Sequence, residues 1–509
     1  MARLTDYSRY ADAQRFFSKE RLWDLFEGDR DALNITHECL DRHRGKGLTI
    51  QIALADGGAE KLSLEQVSDA ANRIANWTQA NRIAPGARVA LMLEPSLAFY
   101  ATLFGVMKSG AVAVPMFTLF GPDALQARID DCTPDVLVVA DEKLDMARAT
   151  GVATVMTGDE LLASSASYPG TFSATTRADD MALFQYTSGT TRELPEAIEH
   201  RHRAVVTVAV AALYATGVRP GEQFMCPSSP AWGHGLAHGT LGPLGLGASI
   251  ASYAGPFDAE RLLLALREFR IENLSAAATH YRMMRQVDDE AALPLNKLSF
   301  TGEPLDASTA EWAAHKFGRP VCSIYGSTEV GVVLANYPGA DDLAVKPGSL
   351  GKSMPGLDVA VLDANGERCP PDTIGELNVK RRDGWFSIKD LGHTDADGYF
   401  FHDGRADDVI ISAGWTISAR EVEEAVLAHD EVAEAAAIGV ADDLRGQVVK
   451  AFVVPRASAN IDTQSLQDFV KARLSAHAYP RVVEVVDSLP KTPAGKVNRR
   501  LLREQERGR

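Results

Sequence analysis

The chain has 509 residues, of which 46% are hydrophobic and 24% are charged, a composition typical of a globular protein long enough for several domains of about 100–200 residues. Its formal net charge of −16 at pH 7 repels a polyanionic backbone, which argues against nucleic acid as a partner and favours a small-molecule substrate. The first residues lack the apolar core of a signal peptide, and no apolar run reaches the roughly 18 residues of a membrane-spanning helix, so we expect neither secretion nor membrane insertion.

The amino-terminal half alternates predicted strands and helices. Ser63 and Gln66 form a capping box that begins a helix, on which apolar residues then recur at helical spacing. The elements that follow are a strand at 88–93, a helix at 96–109 ended by Gly110, and strands at 111–114 and 136–140. This alternation predicts an α/β body of mainly parallel sheets covered by helices.

The carboxyl-terminal part has a different pattern. The turn Asn365-Gly366 between apolar segments at 357–363 and 375–379 predicts a β-hairpin, which indicates a β-rich subdomain at about 349–404. The last hundred residues predict a small α+β domain. Its elements are a strand at 409–412, a helix capped by Ser418 with Glu421, strands around Ala435 and Val453, and a helix from Thr463. We therefore expect domains at 1–404 and 405–509, joined by a short polar segment.

The segment Tyr186-Thr187-Ser188-Gly189-Thr190-Thr191 is the most informative motif of the chain. Its glycine allows the backbone to approach a ligand closely, and its hydroxyls and N–H groups can donate hydrogen bonds to phosphate oxygens. A cluster of this kind is more often an ordinary solvated turn. The phosphate interpretation therefore depends on motifs elsewhere in the chain.

Those motifs occur in order along nearly the whole length. They are Thr301-Gly302-Glu303-Pro304, Tyr325-Gly326-Ser327-Thr328-Glu329, Asp390, Gly404-Arg405-Ala406-Asp407-Asp408 and Pro493-Ala494-Gly495-Lys496. Together with the hydroxyl-rich loop, they resemble the adenylate-forming superfamily, in particular its acyl-CoA synthetase branch of benzoate, cyclohexanecarboxylate and medium-chain acid CoA ligases. The resemblance implies a body that binds AMP and the acyl group, followed by a mobile carboxyl-terminal domain with its hinge near Asp407.

The resemblance implies a reaction in which ATP converts an unreactive carboxylate to an acyl adenylate. Glu329 would hold Mg²⁺, which prefers hard oxygen ligands and keeps several waters, Tyr325 would stack on adenine, and Asp390 would accept hydrogen bonds from the ribose. The residues implied to bind the nucleotide are Thr187, Ser188, Gly189, Thr190, Thr191, Arg192, Gly302, Glu303, Pro304, Tyr325, Gly326, Asp390 and Arg405. Those implied to act in catalysis are Lys496, Glu329, Thr328 and Thr187.

The second half-reaction, also implied by the resemblance, transfers the acyl group to a thiol. Rotation of the carboxyl-terminal domain at Asp407 would withdraw Lys496 and bring in Gly414 and Trp415, where a glycine leaves room for the pantetheine arm. Arg445 precedes a strand as in CoA ligases and favours free CoA as the acceptor. A surface lysine and an ordinary turn glycine are the alternatives for Lys496 and Gly414.

The resemblance implies an acyl pocket around the segment at 230–236, where relatives place an aromatic gate and pocket wall. A broad indole next to a glycine would leave space there for a ring or branched chain. The candidate substrate residues are Trp232, Gly233, His234, Thr279, His280, Gly326 and Gly331, with Tyr281 beside them. The alternative is that Trp232 is a core residue and His234 a structural histidine. No aspartate lies in this wall to pair with a substrate amine, so a compact apolar acid is expected, whether aromatic, alicyclic or medium-chain.

Two departures from the family pattern stand out. The hydroxyl-rich loop continues through Arg192 to Glu196, where relatives carry a glycine and then a lysine, and it has one extra residue. Arg192 is the candidate to replace the missing cation. The second departure is Ile388-Lys389-Asp390, where relatives commonly carry Thr-Gly-Asp.

Three functions stay open from the sequence. The leading one is an AMP-forming acid:CoA ligase that uses ATP, Mg²⁺, CoA and a small carboxylic acid. The second is an enzyme that loads the phosphopantetheine of a carrier protein, and the third is a nucleotide-binding homologue without turnover. Five widely spaced cysteines without a CxxC pair argue against zinc sites and disulfide frameworks and fit a reducing cytoplasm. Nothing in the sequence fixes the oligomeric state, so a homodimer is left open.

Overall fold

A computed structural model describes residues 2–186, 197–327, 330–405, 409–412, 415–442, 446–456, 461–474, 479–491 and 497–507. The chain divides into two compact units. Unit 1 comprises Met1–Gly326 and Gly331–Leu357, and unit 2 comprises Ser327–Val330 and Asp358–Arg509. The predicted boundary at 404/405 stays a prediction, and the proposed hinge Asp407 lies outside the described residues. In the described part, no helix is both long and apolar enough to cross a bilayer.

Helices occur along most of the sequence of unit 1. They are α1 (Tyr10–Phe16), α2 (Lys19–Trp23), α3 (Ile35–Cys39), α4 (Leu64–Ala80), α5 (Leu97–Ser109), α6 (Pro122–Cys132), α7 (Leu144–Arg148), α8 (Gly158–Ser165), α9 (Ala204–Tyr214), α10 (Gly242–Leu246), α11 (Ala259–Glu268), α12 (Ala278–Arg285) and α13 (Ala307–Phe317). Three short 3-10 helices (Leu4–Asp6, Asp41–His43, Asp141–Lys143) and a π-helix at His234–Leu241 accompany them.

The strands of unit 1 form two sheets. They are β1 (Thr49–Leu54), β2 (Ala59–Ser63), β3 (Arg88–Met92), β4 (Val112–Pro115), β5 (Val136–Val139), β6 (Thr154–Thr157), β7 (Met181–Tyr186), β8 (Ala197–Arg201), β9 (Gln223–Met225), β10 (Ser249–Ala254), β11 (Asn273–Ala277), β12 (Lys297–Thr301), β13 (Cys322–Ser327), β14 (Gly331–Ala335) and β15 (Ser349–Ser353). One sheet has the order β6-β5-β3-β4-β7-β8, and the other runs β15-β14-β13-β12-β11-β9-β10-β1-β2.

Parallel pairing dominates both sheets, as the alternation of strands and helices predicts. In the six-stranded sheet every pairing is parallel except that of β7 with β8. In the other sheet β1, β9, β10, β11, β12 and β13 pair in parallel, and β2 and β15 pair antiparallel with their neighbours. The predicted α/β fold class is confirmed.

Local sequence signals explain why these helices begin and end where they do. The Ser63 hydroxyl accepts the Gln66 amide at 3.1 Å and Gln66 Oε1 accepts the Ser63 amide at 2.8 Å, so the predicted capping box is confirmed. Gly110 ends α5 at φ +85°, a conformation that glycine adopts without strain. Helices α4 and α5 pack closely, since a Cβ on Gly105 would lie 2.7 Å from the Ala71 carbonyl oxygen.

Unit 2 contains two groups of paired strands that are mainly antiparallel. Its strands are β16 (Val359–Leu362), β17 (Gly375–Arg381), β18 (Gly384–Thr394), β19 (Phe400–Arg405), β20 (Val409–Ser412), β21 (Trp415–Ser418), β22 (Val432–Asp442), β23 (Gly446–Pro455) and β24 (Val482–Val485), and its helices are α14 (Ala419–Leu427), α15 (Thr463–Arg473) and α16 (Arg499–Arg507). Strands β16 to β19 pair in sequence order, and the second sheet has the order β21-β20-β23-β22, with β24 parallel to β23. The β-rich subdomain and the small α+β domain of the predicted fold class are confirmed, while the bounds 405–509 stay a prediction.

The predicted hairpin is present, with a longer connection than the two-residue turn alone. Val359 pairs with Val379 and Leu362 with Glu376, which makes β16 and β17 antiparallel neighbours. The Asn365-Gly366 turn brings Arg368 back to a bridge with Leu362. The chain then continues through two prolines, which cannot donate ladder hydrogen bonds, before β17 begins.

Candidate active site

Several predicted site residues lie outside the described part of the chain. They are Thr187, Ser188, Gly189, Thr190, Thr191, Arg192, Thr328, Glu329, Asp407, Gly414, Arg445 and Lys496, and the side chains of Arg405 and Trp415 join them. Their roles stay predictions. The described candidates fall into a group in unit 1 and the segment around Asp390 in unit 2.

The two ends of the hydroxyl-rich loop meet at a strand pair. Strand β7 ends at Tyr186 and strand β8 begins at Ala197, and the register pairs these two residues directly. Tyr186 is buried, and its hydroxyl donates to Asp131 Oδ2 at 2.6 Å. Its side chain is therefore part of the sheet's packing, and it anchors the start of the loop.

Trp232 and Gly302 come together although they are seventy positions apart in the chain. Gly302 follows β12 with φ +96°, a conformation that favours glycine. A Cβ at Gly302 would lie 3.4 Å from Cη2 of Trp232, so the half-buried indole ring packs over this glycine. A predicted acyl-pocket residue thus contacts a predicted nucleotide residue.

Gly326 and Gly331 are also brought together. A Cβ on Gly326 would lie 1.9 Å from the Gly331 carbonyl oxygen, a distance no side chain can occupy. Gly331 itself has φ +69°. Close backbone approach therefore requires glycine at position 326, and the left-handed conformation favours it at position 331. Tyr325, directly before this contact, is half-buried at the end of β13.

His234 is held between two serine hydroxyls at the start of the π-helix. Its Nδ1 lies 2.9 Å from Ser228 Oγ and its Nε2 lies 2.8 Å from Ser275 Oγ. Burial holds the pKa of His234 well below its ordinary value, with His238 and His280 adding unfavourable charge. The imidazole is therefore neutral at pH 7 with both ring nitrogens engaged by protein hydroxyls.

The segment 279–281 divides between two environments. Thr279 Oγ1 donates to Glu303 Oε1 at 2.5 Å, and Arg282 Nη1 lies 2.7 Å from the same oxygen. His280 stacks on Phe257 with ring centroids 4.4 Å apart, and burial lowers its pKa to about 4. Tyr281, expected beside the pocket, instead lies fully buried in the core.

The Tyr281 hydroxyl donates to the Ser299 carbonyl oxygen at 3.0 Å, so its polar atom is already satisfied within the fold. Pro304, the last residue of its motif, accepts a hydrogen bond through its carbonyl oxygen from Arg282 Nη2 at 2.6 Å. Arg282 therefore fixes both the Glu303 carboxylate and the Pro304 backbone.

Asp390 lies in an irregular stretch of β18 in unit 2. The register pairs Asn378 with Ser387 and Glu376 with Leu391. Strand β18 therefore uses more residues than β17 over the same distance, which produces a β-bulge in β18. Asp390 is 7% exposed, and the register of β18 with β19 pairs it with Arg405.

Some residues that contact the predicted site residues belong to none of the sequence motifs. His402 Nε2 lies 3.6 Å from Asp390 Oδ2, and Arg420 Nη1 lies 3.1 Å from the other ring nitrogen of His402. Gln185 places its amide beside Gly233. Only the position of Gln185, two residues before the hydroxyl-rich loop, offered a signal in the sequence.

No group of three or more metal-ligating His, Cys, Asp or Glu side chains occurs among the described residues. The predicted magnesium ligand Glu329 is outside that part of the chain. A single carboxylate with phosphate oxygens and waters is the donor set that Mg²⁺ ordinarily takes.

Comparison with protein-family models covers most of the sequence. A model described as AMP-binding enzyme matches residues 42–384, and a model described as AMP-binding enzyme C-terminal domain matches residues 421–496. The chain belongs to the AMP-binding enzyme family. The resemblance stated from the motifs is thereby confirmed.

Named relatives of this AMP-binding enzyme are CoA ligases. Acetyl-coenzyme A synthetase of Bacillus subtilis (strain 168) is 28% identical, with 93% of this chain and 91% of that protein covered. The 3-hydroxybenzoate–CoA ligase of Aromatoleum sp. (strain CIB) is also 28% identical, with 93% and 97% covered. A crystal structure of an acyl-CoA synthetase from Brucella canis is 29% identical with a TM-score of 0.75 and covers 99% of both chains. These findings confirm an enzyme of the AMP-forming acyl-CoA synthetase and ligase group.

Proposed function

We propose that this AMP-binding enzyme is an ATP-dependent acid:CoA ligase for a small, largely apolar acid with an aromatic, alicyclic or medium-chain acyl group. In the first half-reaction the carboxylate oxygen attacks the α-phosphorus of ATP and pyrophosphate leaves. In the second, the thiol of CoA attacks the acyl carbonyl carbon and AMP leaves. Bound Mg²⁺ would neutralise charge on the phosphate oxygens, with Glu329 as its protein ligand.

The contact between Trp232 and Gly302 carries the proposal for the acid. The indole supplies a broad apolar face and packs over Gly302, where a Cβ would lie 3.4 Å from the ring. Because Gly302 belongs to a predicted nucleotide motif, an acid packed against Trp232 would have its carboxylate close to the nucleotide. Proximity of this kind can contribute several kcal/mol to catalysis, on the order of 7–11 kcal/mol in well-oriented reactions.

The electrostatics of the same region favour an acid without a charged amine. His234 and His280 are both neutral at pH 7, because burial lowers the pKa of each. The Glu303 carboxylate is engaged by Arg282 and Thr279. Since no free carboxylate in these contacts could pair with an ammonium group, an amino acid would leave its charge unpaired.

The activities named for the relatives support CoA as the acceptor of the acyl group. The names of the relatives include an acetyl-CoA synthetase, a 4-hydroxybutyrate–CoA ligase and a 3-hydroxybenzoate–CoA ligase, which span aliphatic and aromatic acids.

A cytoplasmic location is part of the proposal. The five cysteines are free thiols in the structure, which fits a reducing compartment.

The test uses the full chain with ATP, Mg²⁺, CoA and a panel of benzoates, cyclohexanecarboxylate and linear acids, with pyrophosphate, AMP and thioester measured together. The proposal expects all three products for at least one small acid. Pyrophosphate without any CoA thioester would instead favour a carrier-protein acceptor, and no product at all would favour a homologue without turnover. Trp232→Ala should raise the KM for the acid far more than the KM for ATP, whereas Trp312→Ala, on α13 away from this contact, serves as a matched control for loss of an indole.

A further inference from the structure

The side-chain amide of Gln185 is buried, with its oxygen in a hydrogen bond and its nitrogen unpaired among the described residues. Gln185 is 7% exposed on β7, two residues before the hydroxyl-rich loop. Its Oε1 lies 3.2 Å from Nε2 of His200 on the neighbouring strand. Its Nε2 has no hydrogen-bond partner within the part of the chain that the structure describes. Buried amide donors are nearly always paired in folded proteins, so an orphan of this kind requires an explanation.

The strand pairing sets the orientation of this amide. Strands β7 and β8 are antiparallel, and Gln185 pairs directly with Ile198, which makes His200 its diagonal neighbour on the same face. Burial lowers the pKa of His200, so the imidazole is neutral and donates through Nε2–H to Gln185 Oε1. With its oxygen held toward β8, the amide directs its NH₂ group the other way.

Gly233 lies beside this amide. A Cβ on Gly233 would lie 3.5 Å from Gln185 Nε2 and 3.6 Å from Gln185 Oε1, both ordinary contact distances, so the glycine faces both ends of the amide group. The backbone of Gly233, with φ −53° and ψ −37°, is one that any residue can adopt. Glycine at this position is therefore not required by conformation or by a clash. Its effect is that residue 233 places no side chain against the buried Gln185 amide, next to Trp232 in the predicted wall of the acyl pocket.

We infer that Gln185 is a specificity-determining residue whose Nε2 donates a hydrogen bond to an oxygen of the acyl group. The preferred acid then carries a neutral acceptor, such as a ketone, ether or hydroxyl oxygen, on an otherwise apolar frame. This inference rests on the proposed function and narrows its substrate class. A site that buries a donor rejects an analogue without the matching acceptor, because the donor is then left unpaired.

Isosteric acids test the inference directly. Cyclohexanecarboxylate and the tetrahydropyran-2-, 3- and 4-carboxylates differ by one CH₂ replaced by oxygen, and hexanoate with 4-methoxybutanoate forms a second, linear comparison of the same kind. We expect kcat/KM to be about tenfold or more higher for at least one oxygen-bearing acid than for its hydrocarbon partner. Gln185→Leu should bring that ratio close to unity, and Gly233→Ala should lower it by covering the amide.

Gln51→Leu is the matched control. Gln51 is a half-buried glutamine on strand β1 of the same unit, where it donates to Gln223 Oε1 at 3.3 Å, and the same substitution there should leave the ratio unchanged. Equal kcat/KM values within every pair in the unmodified enzyme would overturn the inference, as would a preference that survives Gln185→Leu. A uniform decrease for both members of a pair in Gln185→Leu would also overturn it.

Acid binding measured by calorimetry separates this inference from the proposed function. If no acid yields pyrophosphate but oxygen-bearing acids bind more tightly in a Gln185-dependent manner, the inference stands and the ligase proposal fails. If thioester forms without any such preference, the ligase proposal stands and the inference fails. Neither binding nor turnover with any acid of the panel would overturn both.

Discussion

Lys389 adopts a left-handed backbone conformation, with φ +61°, directly before Asp390 in the bulge of β18. This is the position at which the sequence departs from the family's glycine. The Lys389 amide donates to Ser387 Oγ at 2.9 Å, and Ser387 Oγ donates to Glu376 Oε1 at 2.6 Å, so hydrogen bonds hold the bulge in shape. The backbone turn that a glycine adopts without strain is therefore retained with a lysine in its place.

Replacing Lys389 with glycine should stabilise the protein. A non-glycine residue in the left-handed region costs about 1–2 kcal/mol, and the extra entropy of an unfolded glycine offsets about 0.5–1 kcal/mol of that relief. We expect Lys389→Gly to raise the free energy of unfolding by up to about 1.5 kcal/mol, measured by urea denaturation. Lys380→Gly, at an exposed position of the neighbouring strand β17, is the control and should lower it. A Lys389→Gly variant no more stable than the unmodified protein would contradict the argument.

The contact between Gly326 and Gly331 predicts two alanine substitutions of unequal cost. In Gly326→Ala the new methyl group would meet the Gly331 carbonyl oxygen, which is backbone and cannot rotate away. We expect a loss of more than about 3 kcal/mol, or failure to fold. Gly331→Ala meets no atom within 4 Å and should lose only about 1–2 kcal/mol from its positive φ. Equal losses in denaturation experiments would show that the close approach does not limit position 326.

Buried histidines should make stability depend on pH below neutrality. Burial lowers the pKa of His202 from its ordinary 6.5 to about 4, although Asp180 opposes the shift. Between these values the unfolded chain binds a proton that the folded chain does not, so the contribution is present at pH 7 and is lost as the pH falls through this window. The slope is up to about 1.4 kcal/mol per pH unit for one proton.

His202→Asn tests this pH dependence. His202 Nδ1 accepts the Ile35 amide at 3.1 Å, and the asparagine oxygen is an acceptor that does not titrate. Urea midpoints measured from pH 7.5 to pH 5 should fall less steeply in the variant than in the unmodified protein, even where its stability at pH 7.5 is lower. Parallel curves for the two proteins would mean that His202 does not take part in the proton uptake.

Arg192 is predicted to replace the lysine that the hydroxyl-rich loop lacks. A charged hydrogen bond contributes about 1.5–3 kcal/mol, which corresponds to a change of about 10- to 150-fold. Arg192→Ala should therefore raise the apparent ATP requirement in pyrophosphate exchange by at least about tenfold, while Glu196→Gln should have a much smaller effect. If the two substitutions act equally, Arg192 does not supply the missing positive charge.

Local signals in the sequence were sufficient for much of the fold. The capping box at Ser63 and the glycine at position 110 act over a few residues, so a helix's ends can be predicted without knowledge of the rest of the chain. The alternation of strands and helices likewise determines that the sheets are mainly parallel. These predictions depend on contacts between residues that are close in sequence, or on the regular alternation of strands and helices.

Long-range contacts could not be predicted in the same way. The sequence gives no sign that Gln185 faces Gly233, that His402 approaches Asp390, or that both nitrogens of His234 meet serines, because each contact joins residues from different elements. Tyr281 shows the same limit. An aromatic residue next to pocket candidates on one helix can still point into the core, and only the packing of α12 against β12 reveals this.

The direct pairing of Tyr186 with Ala197 makes the hydroxyl-rich loop a connection between adjacent antiparallel strands. Paired residues in such strands keep their Cα atoms about 4.5–5.5 Å apart, whatever the length of chain between them. The extra residue of this loop can therefore be accommodated without shifting the hydrophobic face of either strand. Insertions and deletions here should leave the register of the sheet unchanged, so their effect on the predicted phosphate contacts can be measured in a protein of unchanged fold.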